Sequence, residues 1–330
     1  MSPLRTVVVT APSRLHFGLL SFGDPSTRQY GGAGMMVQQP PLQVQLQVAE
    51  EFVAAGPLAE RIHEIVPRWA NAYADRRRPR CQIEILAAPP PHAGFGTGTQ
   101  LALAVGAGLH ALHGIAAVPI EELAATVGRG LRSAVGTYGF RLGGLIAELG
   151  KHENEVIAPL YEWLAMPEPW RIVLITPRGS QRGLSGLSER DAFANLPPVE
   201  PDITRRLTDL LCDDLLPATR DEDFARFSEA LFAYGRLAGS CFAAVQGGSY
   251  RGARLARLVE QIRRLGIRGV GQSSWGPTLF AVCCDQTAAE HLRNELVGSL
   301  WAQASEVTIT AANNTGASIC VSEIAEHSPP

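Results

Sequence analysis

From Thr6 the chain reads as extended, and beyond Pro12 its apolar positions recur at every second residue. Leu15, Phe17 and Leu19 fall on one face, with Arg14, His16 and Gly18 on the other, which is the period of a strand. Gln43–Val48 repeats the alternation with glutamine on the polar side, and Cys81–Leu86 makes a further strand. The segment Ser21–Gly34, rich in glycine and proline, reads as a loop. Residues 58–73 carry helical spacing, with a break expected at Pro67, which lacks the amide an inner helical turn needs. A long helix is expected to follow the glycine-rich run 92–99 and to continue to about Leu112. Pro119-Ile120-Glu121-Glu122 starts another, with proline at the first position and acids in the first turn.

Strands therefore come first and helices after, an order that predicts an α+β fold rather than a doubly wound sheet. A proline-rich break at Pro159–Pro169 divides the chain into units 1–165 and 166–330. The second unit predicts a strand at Trp170–Thr176, a loop carrying Gly179, Gly183 and Gly186, and a helix opened by the capping box Thr219-Arg220-Asp221-Glu222. A helix over Arg251–Leu265, a strand over Gly276–Cys284, a helix over Ala288–Ala302 and a strand over Glu306–Ala311 complete it.

Composition narrows the function classes. At 330 residues, 46% hydrophobic and net charge -3, the chain can bury two cores. It gives no diffuse electrostatic reason to bind nucleic acid or an acidic membrane. Lys151 is the only lysine among the 29 basic residues, so any amine chemistry is confined to it. The six cysteines lack CxxC or zinc spacing, which suits reduced thiols in a cytoplasmic protein. Arg5 and the short Val7–Val9 run do not make a signal peptide. Residues 85–120 carry no formal charge, yet they are rich in Ala and Gly and include His110 and His113. A buried helix, not a membrane span, is expected there.

Four segments carry candidate chemistry. In Gly94-Phe95-Gly96-Thr97-Gly98-Thr99 the alternate glycines let backbone approach a ligand, and the helix start behind them presents amides suited to phosphate. A glycine turn capped by Thr97 or Thr99 is the alternative. It is neither a Walker loop nor a dinucleotide fingerprint. In Gly128–Gly139, Arg129 and Arg132 stand among small residues, where a planar guanidinium takes carboxylate or phosphate. Gly269–Thr278 is a polar glycine loop holding Gln272, Ser273 and Ser274. On the first strand Arg14 and His16 share a face, and His16 is a candidate proton carrier.

Together these segments resemble the three motifs of the GHMP small-molecule kinase superfamily: Ala11-Pro12-Ser13-Arg14-Leu15-His16, then Pro91–Thr99, then Gly269–Thr278. The resemblance implies a GHMP-kinase-like two-domain fold, with an amino-terminal domain like the second domain of ribosomal protein S5 and a ferredoxin-like carboxy-terminal domain. Two departures speak against a kinase. Gly98 stands where such kinases carry a serine, and Arg132 stands where those with a catalytic Asp carry it. A donor-only cation cannot deprotonate a hydroxyl.

The phrases Ser13-Arg14-Leu15-His16, Arg28-Gln29-Tyr30-Gly31-Gly32, Arg129–Thr137 and Gly271–Thr278 resemble the β-ribofuranosylaminobenzene 5′-phosphate synthase family of methanopterin biosynthesis. So does Arg178-Gly179 with Gly183-Leu184-Ser185-Gly186 and Glu189. That resemblance implies condensation of 5-phosphoribosyl 1-diphosphate with 4-hydroxybenzoate or 4-aminobenzoate, with loss of carbon dioxide and pyrophosphate. It implies Mg²⁺, a homodimer, and no nucleic-acid or membrane partner. Catalytic roles would go to Arg14, His16, Arg28 and Arg132, with His16 accepting the ring hydroxyl or amine proton. Binding would fall to Gly94, Gly96, Thr97, Gly98, Thr99, Ser133, Gln272, Ser273 and Ser274. Ser21 departs from the family, which often carries an Asp there. A GHMP-type kinase and a non-enzymatic sensor of a phosphorylated metabolite remain as alternatives.

Overall fold

The computed structural model describes residues 4–75, 77–178, 193, 195–298 and 305–324. The elements run β1 (Leu4–Gly18), β2 (Gly32–Val48), β3 (Val53–Ala55), α1 (Ala59–Tyr73), β4 (Cys81–Ala87), α2 (Thr97–His113), α3 (Ile120–Thr126), α4 (Val135–Leu142), β5 (Leu145–Glu148) and β6 (Leu160–Leu164). They continue through β7 (Arg171–Pro177), α5 (Pro201–Asp209), a π-helical turn Leu210–Leu215, α6 (Leu216–Arg220), α7 (Phe224–Ser240), α8 (Ala243–Gln246) and α9 (Gly252–Arg264). Last come β8 (Gly269–Gln272), β9 (Leu279–Cys283), α10 (Gln286–Val297), β10 (Ser305–Thr310) and β11 (Ser318–Ile324).

Two sheets organise the described chain. The first runs β11-β1-β2-β4-β3, with β5 pairing β2 and β6 pairing β5. The second runs β10-β7-β9-β8, antiparallel throughout. Numbered within that half, the order is 4-1-3-2 with helices in the two crossovers, the ferredoxin-like arrangement. The fold is thus α+β, with the ferredoxin-like second half that the resemblance implied.

The first strand serves two cores. Val7, Val9 and Ala11 pack against α1 and α2, whereas Leu15 and Phe17 pack between the sheets with Ile172, Leu174 and Phe280. A register shift between Ala11 and Ser13 marks the change; bulges sharpen local twist and re-aim side chains. In β2 the same change falls between Val37 and Leu42, so the strand runs unbroken from Gly32 where the sequence predicted loop through Gly34. α2 is the buried helix expected, with Leu101–Val105 fully covered. No described helix is long and apolar enough to cross a membrane.

Other expectations are corrected. α1 passes through Pro67 without a break, because Ile65, Val66, Trp69 and Ala70 on either side are all buried in the core. Thr219 does not cap a helix; its hydroxyl donates to the Leu215 carbonyl inside the preceding turn. The cap of α7 is Asp223, which accepts the Arg226 amide at 3.0 Å. Asp285 likewise caps α10, which therefore starts at Gln286. Gly269–Gln272 is strand rather than turn. β11 pairs with β1, so residues 318–324 belong to the first sheet rather than to the 166–330 unit; an antiparallel neighbour for β1 is worth more than an unpaired tail. The expected loop glycines Gly179, Gly183 and Gly186 lie outside the described residues.

The halves are also joined by Tyr234 of α7, fully buried, whose hydroxyl donates to the Gly18 carbonyl at the end of β1, 3.0 Å away. Tyr234→Phe strands that acceptor, so it should cost about 1–2 kcal/mol and lower Tm by roughly 2–8 °C, as scanning calorimetry would read.

Candidate active site

α2 begins at Gly96, which takes φ 70° in the left-handed region, and no side chain caps its amides. Thr97 and Thr99 instead line a cleft of about 920 Å³ at the junction of the two sheets. Gly94 (φ 101°) passes so close to Ser273 that a Cβ would stand 2.6 Å from the Ser273 carbonyl oxygen. Ser273 itself is fully buried and does not line the cleft. Its hydroxyl donates to the Gly94 carbonyl at 2.7 Å and accepts the His16 amide at 3.0 Å. The expected ligand-binding Ser273 is therefore a clamp, while its neighbours Gln272 and Ser274 do face the cleft. Gln272 is fixed by accepting the Arg251 amide and donating to the Ser274 carbonyl.

From the β1 side Arg14 lies along the glycine loop. Its amide donates to the Phe95 carbonyl, and a Cβ on Gly96 would meet its Cβ and Nε at 3.1 Å. Two residues on, His16 accepts the Gly18 amide at Nδ1, 3.1 Å, and its Nε2 lies 2.9 Å from the Ser133 hydroxyl. This network assigns the proton to Nε2. Burial first, and then Arg14, hold the imidazole pKa well below 6.5. With both nitrogens engaged and Arg14 alongside, His16 is held against Ser133 at the wall of the cleft.

Across the cleft stands Arg132, whose guanidinium carbon lies 4.7 Å from the Phe193 ring centre. Phe193, Phe242 and Trp275 contact one another edge-on, with centroids 4.8–5.8 Å apart, and all three line the cleft with Tyr30. The facing stretch of α7 offers Gly235, Ala238 and Gly239, leaving room for a flat ring. The structure thus gathers Arg14, His16, Gly94, Gly96, Thr97, Gly98, Thr99, Arg132, Ser133, Gln272 and Ser274 around one space.

Arg28 is not among them. It forms a forked pair with Glu155 and donates to the Gly150 carbonyl at 2.7 Å, tying the 21–31 loop to the chain after β5. Ser21 is buried and donates to the Arg28 carbonyl, closing the same loop. Conversely, Arg61, Glu64 and Arg68 of α1 and the aromatic wall line the cleft without having been singled out. Arg61 and Arg68 read as a solvated helix face, and the aromatics are separated by up to 245 residues of sequence. Arg129 also lines the cleft.

Magnesium is bound through one or two carboxylates together with substrate oxygens. Among the described residues the cleft offers Glu64 alone, between two arginines of one helix, and there is no cluster of three metal-ligating side chains. The described residues do not fit a protein-held Mg²⁺.

Glu148, fully buried behind Ser133, accepts the Ala134 amide at 2.7 Å. Burial raises its pKa to about 7 against the pull of Ser133, the Ala134 and Val135 amides and Arg14. Tyr138, Tyr234 and Lys151 also feel its charge. Between the unfolded value of 4.5 and about 7 the folded state holds the extra proton, so stability falls as pH rises through that window. Glu148→Gln removes the ionisation. Urea unfolding at pH 4.5 and 8 should show wild type losing about 2–3 kcal/mol more than the variant over that rise; equal losses would contradict the assignment.

Comparison with known proteins agrees with this geometry. The family model "GHMP kinases C terminal" matches residues 215–303. A β-ribofuranosylphenol 5′-phosphate synthase of Archaeoglobus fulgidus is 29% identical over 82% of this chain and 86% of its own. One from Methanothermobacter thermautotrophicus is 27% identical over 84% and 88%. Among solved structures, mevalonate-3-kinase from Thermoplasma acidophilum superposes with a TM-score of 0.67 at 12% identity, over 96% of this chain and 99% of its own. Homoserine kinase from Cytophaga hutchinsonii gives 0.61 at 15% identity, over 96% and 97%; these two bear on the fold alone. The chain is thus similar over most of its length to β-ribofuranosylphenol 5′-phosphate synthases, and residues 215–303 match the carboxy-terminal part of the GHMP kinases.

Proposed function

We propose that the cleft joins 5-phosphoribosyl 1-diphosphate to 4-hydroxybenzoate, releasing carbon dioxide and pyrophosphate and leaving a C-riboside 5′-phosphate. The observation that carries the reading is a single cleft with two unlike ends: a glycine loop and helix start flanked by arginines, and an aromatic wall bearing Arg132. The first suits a diphosphate. The second suits a benzoate ring stacked among aromatics with its carboxylate on a guanidinium. The hydroxy acid is preferred to the amino acid because the relatives are named for a phenol product.

In this reaction the C1–O bond to diphosphate breaks with its electron pair going to the leaving group. The ring carbon that carries the carboxylate then bonds C1, and the C–CO₂ bond returns its electrons to the ring. No proton is released overall; a base that draws on the ring hydroxyl, the role expected of His16, returns its proton within the cycle. The protein's part is electrostatic: guanidiniums and helix amides stabilise charge gathering on the departing diphosphate, and Arg132 orients the acid before its carboxylate is lost. Arg14 is assigned to the sugar phosphate or the carboxylate. Any Mg²⁺ would arrive on diphosphate oxygens rather than on protein carboxylates, and the homodimer implied by the resemblance is part of the proposal.

The test is incubation with 4-hydroxybenzoate, phosphoribosyl diphosphate and Mg²⁺, with carbon dioxide and pyrophosphate measured together. Stoichiometric release of both is expected. ATP-dependent phosphorylation of a small alcohol, or diphosphate binding with no carbon dioxide released, would overturn it. Arg132→Ala should lower kcat/KM at least about 100-fold with an unchanged circular dichroism spectrum.

A further inference from the structure

The corner of the cleft beside the glycine loop holds more positive charge than the rest of the site accounts for. α1 sets Arg61, Glu64 and Arg68 at spacings of three and four, hence on one face, and all three reach the cleft. Arg129, from the turn that ends α3, comes to the same place. Its pKa is held below the usual value first by burial and then by Arg61 and Arg68, with Glu64 acting the other way. Its Nε is buried with no hydrogen-bond partner among the described residues. Among the described residues that line the cleft, Arg14, Arg61, Arg68, Arg129 and Arg132 are the arginines and Glu64 the one carboxylate. Like charges brought together under partial burial cost free energy unless an anion is bound.

The backbone makes room for these guanidiniums. A Cβ on Gly98, at the start of α2, would lie 2.9 Å from Arg61 Nη1 and 3.8 Å from both terminal nitrogens of Arg129. Gly128 (φ 72°) is similarly overlaid by the Arg68 guanidinium. Arg61 and Arg129 therefore point at the first turn of α2, where the amides are uncapped.

We propose that Arg61, Arg68 and Arg129 form a diphosphate subsite with the first turn of α2, meeting the anion with guanidiniums where a protein-held metal ion would otherwise stand. The ligand class is an inorganic or organic diphosphate. Three planar donors matched to a group with two phosphates and three or more charges favour it over a single phosphomonoester. The inference deepens the proposed function by naming what holds the leaving group, but its test is a binding measurement that does not depend on turnover.

Inorganic pyrophosphate and ribose 5-phosphate are titrated separately by calorimetry into the full-length protein, in EDTA and in excess Mg²⁺. Pyrophosphate is expected to bind in EDTA and to raise wild-type Tm. Arg61→Gln and Arg129→Gln should each weaken pyrophosphate about tenfold or more while ribose 5-phosphate is little changed. Gly98→Ala keeps every arginine but intrudes on Arg61, and should also weaken pyrophosphate, so the proposal survives if an arginine variant fails to fold. It is overturned if pyrophosphate binds only with Mg²⁺, if the variants bind it like wild type, or if ribose 5-phosphate is the ligand they lose. A wild type that binds pyrophosphate in this way yet releases no carbon dioxide would overturn the proposed reaction and leave the subsite standing.

Discussion

Ser273 is buried where three segments far apart in sequence meet, and its single hydroxyl serves two of them at once. It donates to Gly94 in the glycine loop and accepts from His16 in β1, while its own amide bonds the Thr278 carbonyl in the connection to β9. Each buried group released from such a network costs about 1–3 kcal/mol, so the three segments move together or not at all. From this clamp follow the closeness of Arg14 to Gly96, the engagement of His16 with Ser133, and the presentation of Gln272 and Ser274 to the cleft. The requirement for glycine at position 94 follows too, since the Ser273 carbonyl fills the space a side chain would need.

The second governing constraint is charge. Among the described residues the cleft presents five guanidiniums and one carboxylate, an arrangement suited to polyanionic contents, and the fully buried Glu148 adds no competing exposed charge. The proposed reaction uses that arrangement economically. A diphosphate departs with its electrons into guanidiniums and helix amides already in place, and the acceptor's carboxylate leaves as carbon dioxide rather than being replaced by a proton.

Much of this was legible in the chain. Alternation placed Arg14 and His16 on one face of β1, the glycine run announced the helix start, and the motif order with its two departures indicated both the superfamily and the branch. Legibility failed where a residue's partner lies elsewhere in the fold. Arg28 sits within a motif but is held by Glu155 and does not line the cleft. Ser273 sits in a glycine motif but turns inward. Arg61 and Arg68 look like the polar face of an amphipathic helix, as they would if α1 faced solvent there.

The sequence by itself determined the local periods, the α+β class, the uncharged buried helix and the absence of a catalytic acid at position 132, because these depend on spacing and residue type within a few turns. Only the tertiary structure decided which polar groups face the cleft and which hold it together. It also returned β11 to the first sheet, assembled Phe193, Phe242 and Trp275 into one wall, and brought Arg129 against α1. Those outcomes rest on long-range packing and on which buried donor finds which acceptor, and neither leaves a periodic trace along the chain.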